Sequence, residues 1–502
     1  MSQIKVGALL SYATLVFNVV AGLLYTPWMI SVIGPSNYGL YTLALSVISL
    51  FLLDFGLGSA VERYLAKFYA EKDLEAADKF LGTAYKVYLF ITLVLACFFA
   101  ILYFFIGDIY TGLNDNELDI FKQLYLIVAL YSIFSFPFIS LNGILMANEK
   151  FIQIKLCNFL EKVTTVLLIV LILLIQGSVF VLVFVNAFAS VVFTLVKLAL
   201  VRRYTNAHPR FRDSYTIRQS GILGFSLGIT VIEVSQRFIF MITPSVLAIF
   251  LNSFEVAVFG LAASLESYVW SAANALNGMF LPEVSRYVAS SNFKDALNAL
   301  IVKVGRIQLL IVGGIIAMFA VWGSSFVLLW VGSDYNALFL CTLLIILPGI
   351  VEHTQQVGKS AIHALNKVRL QAIVYVIMAC VNVVLMIVLV QSWGIYGASA
   401  SICVAYIVRT LGLNIIYKRS VGVKISSFFR NVYPKWLIST GLCMGLSEIL
   451  LYVLTPSSWW IFFLDVLISL ALYIVLAWII YMDDGEKKLI AEMTPFKLKD
   501  RN

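Results

Sequence analysis

Charge is what this sequence has least of. Asp, Glu, Lys and Arg make up 12% of its 502 residues, against about 25% in an ordinary soluble domain. A chain this poor in charge cannot clothe a large water-facing surface, which excludes the common soluble classes. Cysteine is equally uninformative as chemistry: the six, at 97, 157, 341, 380, 403 and 443, all fall inside apolar runs and form no C-x-x-C pair. A disulfide framework and a zinc site are therefore not indicated. The three histidines are scattered, and no Ser/His/Asp set or P-loop is present, so no cofactor or metal is expected. Long polar segments are missing too. The longest stretch expected on the outer side is "GDIYTGLNDNEL" (107–118), and the larger inner ones, 202–219 and 286–300, are too short to fold as enzymes. An enzyme that joins sugars at the outer face needs a substantial loop there, so the chain is not read as an enzyme.

What is present in abundance is apolar residue, 61% of the chain, in runs of the length that crosses a bilayer. About 20 apolar residues span the hydrocarbon core as a helix, and helices or closed barrels alone satisfy the backbone there. The runs are too continuous for barrel strands. Fourteen spans are expected, roughly at 8–33, 38–64, 80–107, 119–147, 154–176, 178–201, 220–250, 256–285, 304–331, 337–365, 370–391, 395–417, 434–455 and 459–482. The fold class is thus an all-α polytopic membrane protein. With the N-terminus inside, 33 of the 35 basic residues fall in inner segments, leaving Lys122 and Arg237 over. This bias places both termini in the cytoplasm. It also accounts for the basic balance of the chain without nucleic acid.

A weak repeat runs along the sequence. Thr26-Pro27 precedes "LALS" (43–46) and Thr243-Pro244 precedes "LAAS" (261–264), the latter tetrapeptides 218 residues apart; at that offset Asn148 in "GILMANEK" meets Asn366 in "AIHALNKV". Six spans per repeat means both halves enter the membrane in one direction, giving parallel lobes related by an axis along the membrane normal. The expected division is an N-terminal six-helix lobe at 8–203, a C-terminal six-helix lobe at 219–418, an appended helix pair at 434–482 and a cytoplasmic tail at 483–502.

Ionisable and amide groups inside spans are costly and mark function. Ser226, Thr230, Glu233, Arg237 and Pro244 follow helical spacing in one span, and Pro348, Glu352, Gln356, Lys359 and His363 do so in another. Ser11, Thr14, Asn18, Gly22 and Tyr25 line one face of the first span; Glu266, Trp270, Ala273 and Asn277 line the eighth. Each stripe has a plain structural reading. Glu233–Arg237 is also the favourable i, i+4 order for a pair that staples helices. Lys359 and His363 suit residues reaching toward an interface, Asp54 suits a cap, and the prolines suit bends. Their coincidence in two repeats points instead to a shared hydrated cavity, lined by Arg237, Glu233, Asn18, Glu266, Asn277, Glu352 and Lys359. A guanidinium such as that of Arg237 recognises phosphate or carboxylate bidentately. Asp54, Glu233, Glu266, Glu352 and His363 are the candidates for coupling to H+ or Na+.

"IGPSNYGLYTLALSVISLFLLDFGLGSAVERYLAKFY" (33–69) resembles the first two spans of Wzx-type bacterial polysaccharide flippases, with Gly34, Tyr38, Gly39, Tyr41, Asp54 to Gly58 and Arg63-Tyr64 carrying the likeness. "WGIYGASASICVAYIVRTLGL" (393–413) resembles their eleventh and twelfth spans. The motifs point to the superfamily that also holds the lipid II flippase MurJ and the MATE exporters. The resemblance implies transport of undecaprenyl-pyrophosphate-linked oligosaccharide from the inner to the outer face of the bacterial plasma membrane, for O-antigen, capsule or exopolysaccharide. It implies as partners the lipid-linked oligosaccharide, membrane lipids and a polysaccharide polymerase. MurJ has several cavity arginines, whereas Arg237 is the one deep arginine expected here. The alternative is a cation-coupled, MATE-like exporter of small molecules.

Overall fold

The computed structural model describes residues 3–51, 57–175, 177–212, 222–274, 284, 286–287 and 293–487. Among them the chain is helical and contains no strand. Twelve helices are long and apolar enough to cross a membrane. The difference from fourteen has two local causes. Residues 52–56 lie outside the described residues, so the second span is seen as two shorter helices, Pro35–Phe51 and Leu57–Ala70. The eleventh and twelfth run together in one stretch, Val368–Val421, of 54 residues. At about 1.5 Å per residue that is more than twice the thickness of a hydrocarbon core. The stretch is broken at Gly394, whose φ of +57° and ψ of −136° are not helical. Gly394 supplies a backbone conformation that L-residues with a Cβ avoid. Gly397, just beyond, lets the returning helix come close: a Cβ there would lie 2.1 Å from the Leu389 carbonyl oxygen. The two spans are therefore a tight helical hairpin.

By internal contacts the chain groups into two units, residues 1–264 with 368–405, and residues 265–367 with 406–502. In the first, the Gln3–Ile33 helix packs on Phe151–Leu174, and Pro35–Phe51 lies between Asp115–Ser135 and Ile222–Phe250. Helix ends are set by local chemistry. Asp73 caps Leu74–Ile109 by accepting from the Ala76 amide at 2.9 Å. Asn114 and Glu117 form a reciprocal capping box, satisfying amides that the helix itself leaves over. The 107–118 loop is tied down: Thr111 Oγ1 donates to the Ile249 carbonyl at 3.1 Å, and Ser253 bonds Glu117. The described part of the basic linker also folds back, with the His208 amide donating to Asp78 Oδ1 at 3.0 Å.

In the second unit, Phe293–Gln308 passes through a π-turn at Leu309–Gly313 into Gly314–Val331. The tenth span, expected as one helix, is three pieces: Ala337–Ile346, Gly349–Thr354 and Gln356–Ala364. Pro348 and the non-helical Gln355 (φ −104°, ψ 20°) stand at the breaks. The Pro434–Val453 and Trp459–Leu476 helices pack on each other and on Gly314–Val331. In both units large apolar side chains face outward, among them Phe104, Leu24, Tyr452 and Trp460, as a lipid-facing surface requires.

Candidate functional site

Each unit carries its own group of intramembrane charges, and they differ in kind. In the first unit, Glu233 and Arg237 sit on Ile222–Phe250 and both are exposed. Neither makes an ion pair among the described residues, so the one-turn spacing does not close into the expected staple. In their stripe Thr230 is buried; on the same helix Thr243 is fully buried, donating to the Ile239 carbonyl at 2.7 Å. Asn18, half-buried on Gln3–Ile33, belongs to the same unit. Glu161 is a polar group that the spacing argument passed over. It accepts from Ser190 Oγ at 3.1 Å and pairs with Lys197 at 3.4 Å, joining Phe151–Leu174 to Val179–Tyr204. Asn186 Nδ2 donates to the Tyr41 hydroxyl at 3.0 Å in the same region.

In the second unit the charges are buried and paired. Glu352 is 7% exposed and takes two cations, Lys359 from the next piece of the broken helix and Arg409 from the far arm of the hairpin. Glu352 and Lys359 do share one stripe, as their spacing suggested, even though the helix breaks between them at Gln355. Arg409 is 1% exposed, and its guanidinium carbon lies 4.0 Å from the centre of the Tyr406 ring. Glu266, half-buried on Ser253–Asn274, belongs to the same unit. Glu352 thus faces two cations. Neutral bonds brace it: Gln355 Nε2 donates to Asn414 Oδ1 at 2.8 Å, and the Thr354 and Tyr433 hydroxyls meet at 2.7 Å. His363 is half-buried on Gln356–Ala364. Asp54 and Asn277 lie outside the described residues.

Arg409, which the sequence groups with the inner basic segments, is enclosed in the folded chain. The missed signal was local: Arg409 lies eight residues before Tyr417 in an unbroken apolar helix, well ahead of the Lys418-Arg419 pair that ends it.

A second buried arginine organises the end of the chain. Arg306 bonds both oxygens of Glu486, at 2.7 and 2.8 Å, and the Asn431 carbonyl at 3.1 Å. It also pairs with Asp483 at 3.2 Å. This arginine is consumed by fixing residues 481–486, and offers nothing to a ligand.

Comparisons with known proteins follow the same lines. The family model described as polysaccharide biosynthesis protein matches residues 6–288, more than half of the chain. No curated protein matches it. Among solved structures, a lipid II flippase MurJ in an inward closed conformation shares the fold with a TM-score of 0.73 at 15% identity, covering 96% of this chain and 99% of that one. An inward-facing multidrug resistance MATE family transporter of the MOP superfamily gives 0.65 at 14% identity, covering 84% of this chain and 99% of that one. A MOP superfamily transporter from Pyrococcus furiosus Vc1, titled for a binding pocket of reversed polarity, gives 0.58 at 12% identity over 85% and 95%. The all-helical, multi-pass membrane architecture expected from the sequence is the one these proteins share.

Proposed function

This chain belongs to the polysaccharide biosynthesis protein family, and from that premise we propose that it is a flippase, not an enzyme. It moves undecaprenyl-pyrophosphate-linked oligosaccharide units across the bacterial plasma membrane, by alternating access, for O-antigen, capsule or exopolysaccharide assembly. The observation that carries the reading is the family match. It is supported by a fold shared along nearly the full length of a lipid II flippase, final helices included, whereas the MATE transporter accounts for 84% of the chain.

Within this reading the two six-helix lobes, 8–203 and 219–418, rock about a central cavity, with 434–482 appended and both termini in the cytoplasm. Arg237 meets the pyrophosphate or an acidic sugar. That no ion pair holds it among the described residues supports that role, because a guanidinium already saturated by carboxylates, like that of Arg306, has no fork left to offer. Asn18, Glu233, Glu266, Asn277, Glu352 and Lys359 are the remaining cavity candidates. Asp54, Glu233, Glu266, Glu352 and His363 are the candidates for H+ or Na+ coupling, and a polysaccharide polymerase is the expected downstream partner.

The test is reconstitution of the full chain into vesicles holding an undecaprenyl-pyrophosphate-linked oligosaccharide on one leaflet. Time-dependent appearance of the sugar on the other leaflet is expected. Vesicles inert toward that lipid but expelling small organic cations against an imposed ion gradient would instead establish the MATE-like alternative. Orientation is checked in cells: thiol reagents applied outside should reach cysteines placed in 108–118 and miss those in 202–219.

A further inference from the structure

Asp465 stands apart from every other acidic group described above. It lies in the Trp459–Leu476 helix, it is 0% exposed, and neither carboxylate oxygen has a hydrogen-bond partner among the described residues. No ion pair reaches it among the described residues. The other faces of its helix are apolar and open, with Phe463, Leu464 and Leu467 each more than half exposed. A bare carboxylate enclosed in such surroundings costs several kcal/mol, so the position asks for a cation.

The neighbouring elements supply none. Gly314–Val331 carries no titratable residue at all. On Pro434–Val453 the titratable groups are Lys435, Cys443, Glu448 and Tyr452; of these Cys443 alone is buried, and Lys435 is engaged with Asp483 at 3.1 Å. On the C-terminal side of Asp465 there are Tyr473 and, in the following π-turn, Tyr481.

One helical turn beyond Asp465, at Ser469, a series of neutral polar groups begins. The Trp436 indole donates to the Tyr473 hydroxyl at 3.1 Å, and the Cys443 thiol lies 3.5 Å from the Ser469 carbonyl. This antiparallel register carries Ser447 to the level of Asp465. Trp322 Nε1 donates to Ser469 Oγ at 3.1 Å from the third helix. The row continues through the Tyr473 hydroxyl, bonded to the Leu310 carbonyl at 2.8 Å, to the Tyr481 hydroxyl on the Arg306 carbonyl at 3.0 Å. The Arg306 side chain in turn pairs with Asp483, which is 56% exposed. From 465 to 481 is about 24 Å at 1.5 Å per residue, most of a bilayer core.

We propose that Asp465 is a proton-binding site built into the C-terminal helix pair, exchanging with water along this polar row. A metal ion fits poorly: hard cations gather about six oxygens, whereas no described polar group is within hydrogen-bond distance of either Asp465 oxygen. A proton needs no cage. The step is simple association, with the carboxylate taking H+ to become the neutral acid and releasing it as the carboxylate. The neutral form lets the three helices close on one another; the ionised form opposes that packing.

Infrared spectroscopy of the full chain in lipid reads the carboxyl directly, independently of any transport. The protonated-carboxyl carbonyl band of the wild type should decline as pH is raised. Asp465→Asn should lack that component, and Asp465→Glu should retain it at a shifted frequency. The Glu variant keeps the test open if the Asn variant does not fold. Identical wild-type and variant spectra across the titration would overturn the proposal. So would a component insensitive to pH, which marks a permanently neutral structural group, or one displaced by sodium at constant pH, which marks a metal site.

Discussion

Glu233 with Arg237 in the first unit, and Glu352 with Lys359 and Arg409 in the second, look alike on paper: acidic and basic residues at helical spacing within apolar runs. In the folded chain they are opposites. The first two remain exposed and unpaired, while the second group is enclosed and closed upon itself. The contrast separates charge that holds a fold together from charge that is left available. Removing a partner from an enclosed pair strands its mate in low dielectric, whereas an exposed guanidinium can be replaced with little effect on packing. The two regions should therefore fail in different ways.

The largest effect is expected at Arg409. Arg409→Ala leaves Glu352 with Lys359 alone, and breaking a buried pair costs about 3–5 kcal/mol. Thermal unfolding in detergent should show a marked loss, with less protein recovered from membranes. A stable Arg409→Ala protein would mean that the cluster does not hold the second unit together.

Arg237→Ala should leave unfolding unchanged and lower glycan export. Loss of a hydrogen bond to a charged group is worth about 1.5–3 kcal/mol, or roughly 10- to 100-fold in export rate. Arg237→Lys should give a partial defect, since charge remains and the planar fork is gone. The double change Glu233→Gln with Arg237→Gln sharpens the point: because the two residues form no pair, it should stay defective at normal expression. Full export by that double variant would remove Arg237 from substrate recognition.

Glu161–Lys197 lies between the extremes in burial, with side chains 23% and 15% exposed. Glu161→Gln keeps the Ser190 contact and should cost no more than about 1 kcal/mol, a small shift in unfolding temperature with export intact. A loss as large as that at Arg409 would erase the distinction drawn between the regions.

One pair among the candidates was readable from spacing. The row Glu352–Lys359 follows from spacing, because helical geometry puts residues seven apart on one side even across a local break. Arg409 was harder to read, since its partner is 57 residues away and the one local sign is its place in an apolar helix ahead of the Lys418-Arg419 pair. Asp465 escaped for the converse reason: a single acid in an apolar run draws attention to itself only when the space around it is known to hold no cation.

Apolar runs of bilayer length, with almost nothing else in the chain, decide by themselves that this protein is a bundle of membrane helices, because a backbone without water must bond within its own segment. Gly394 and Gly397 announce the hairpin locally, since one tolerates the turn and the other the close return. Which charges find one another was settled only by tertiary packing. Helices separated by long stretches of chain choose their neighbours by surface fit, and that choice enclosed Arg409, left Arg237 open and isolated Asp465.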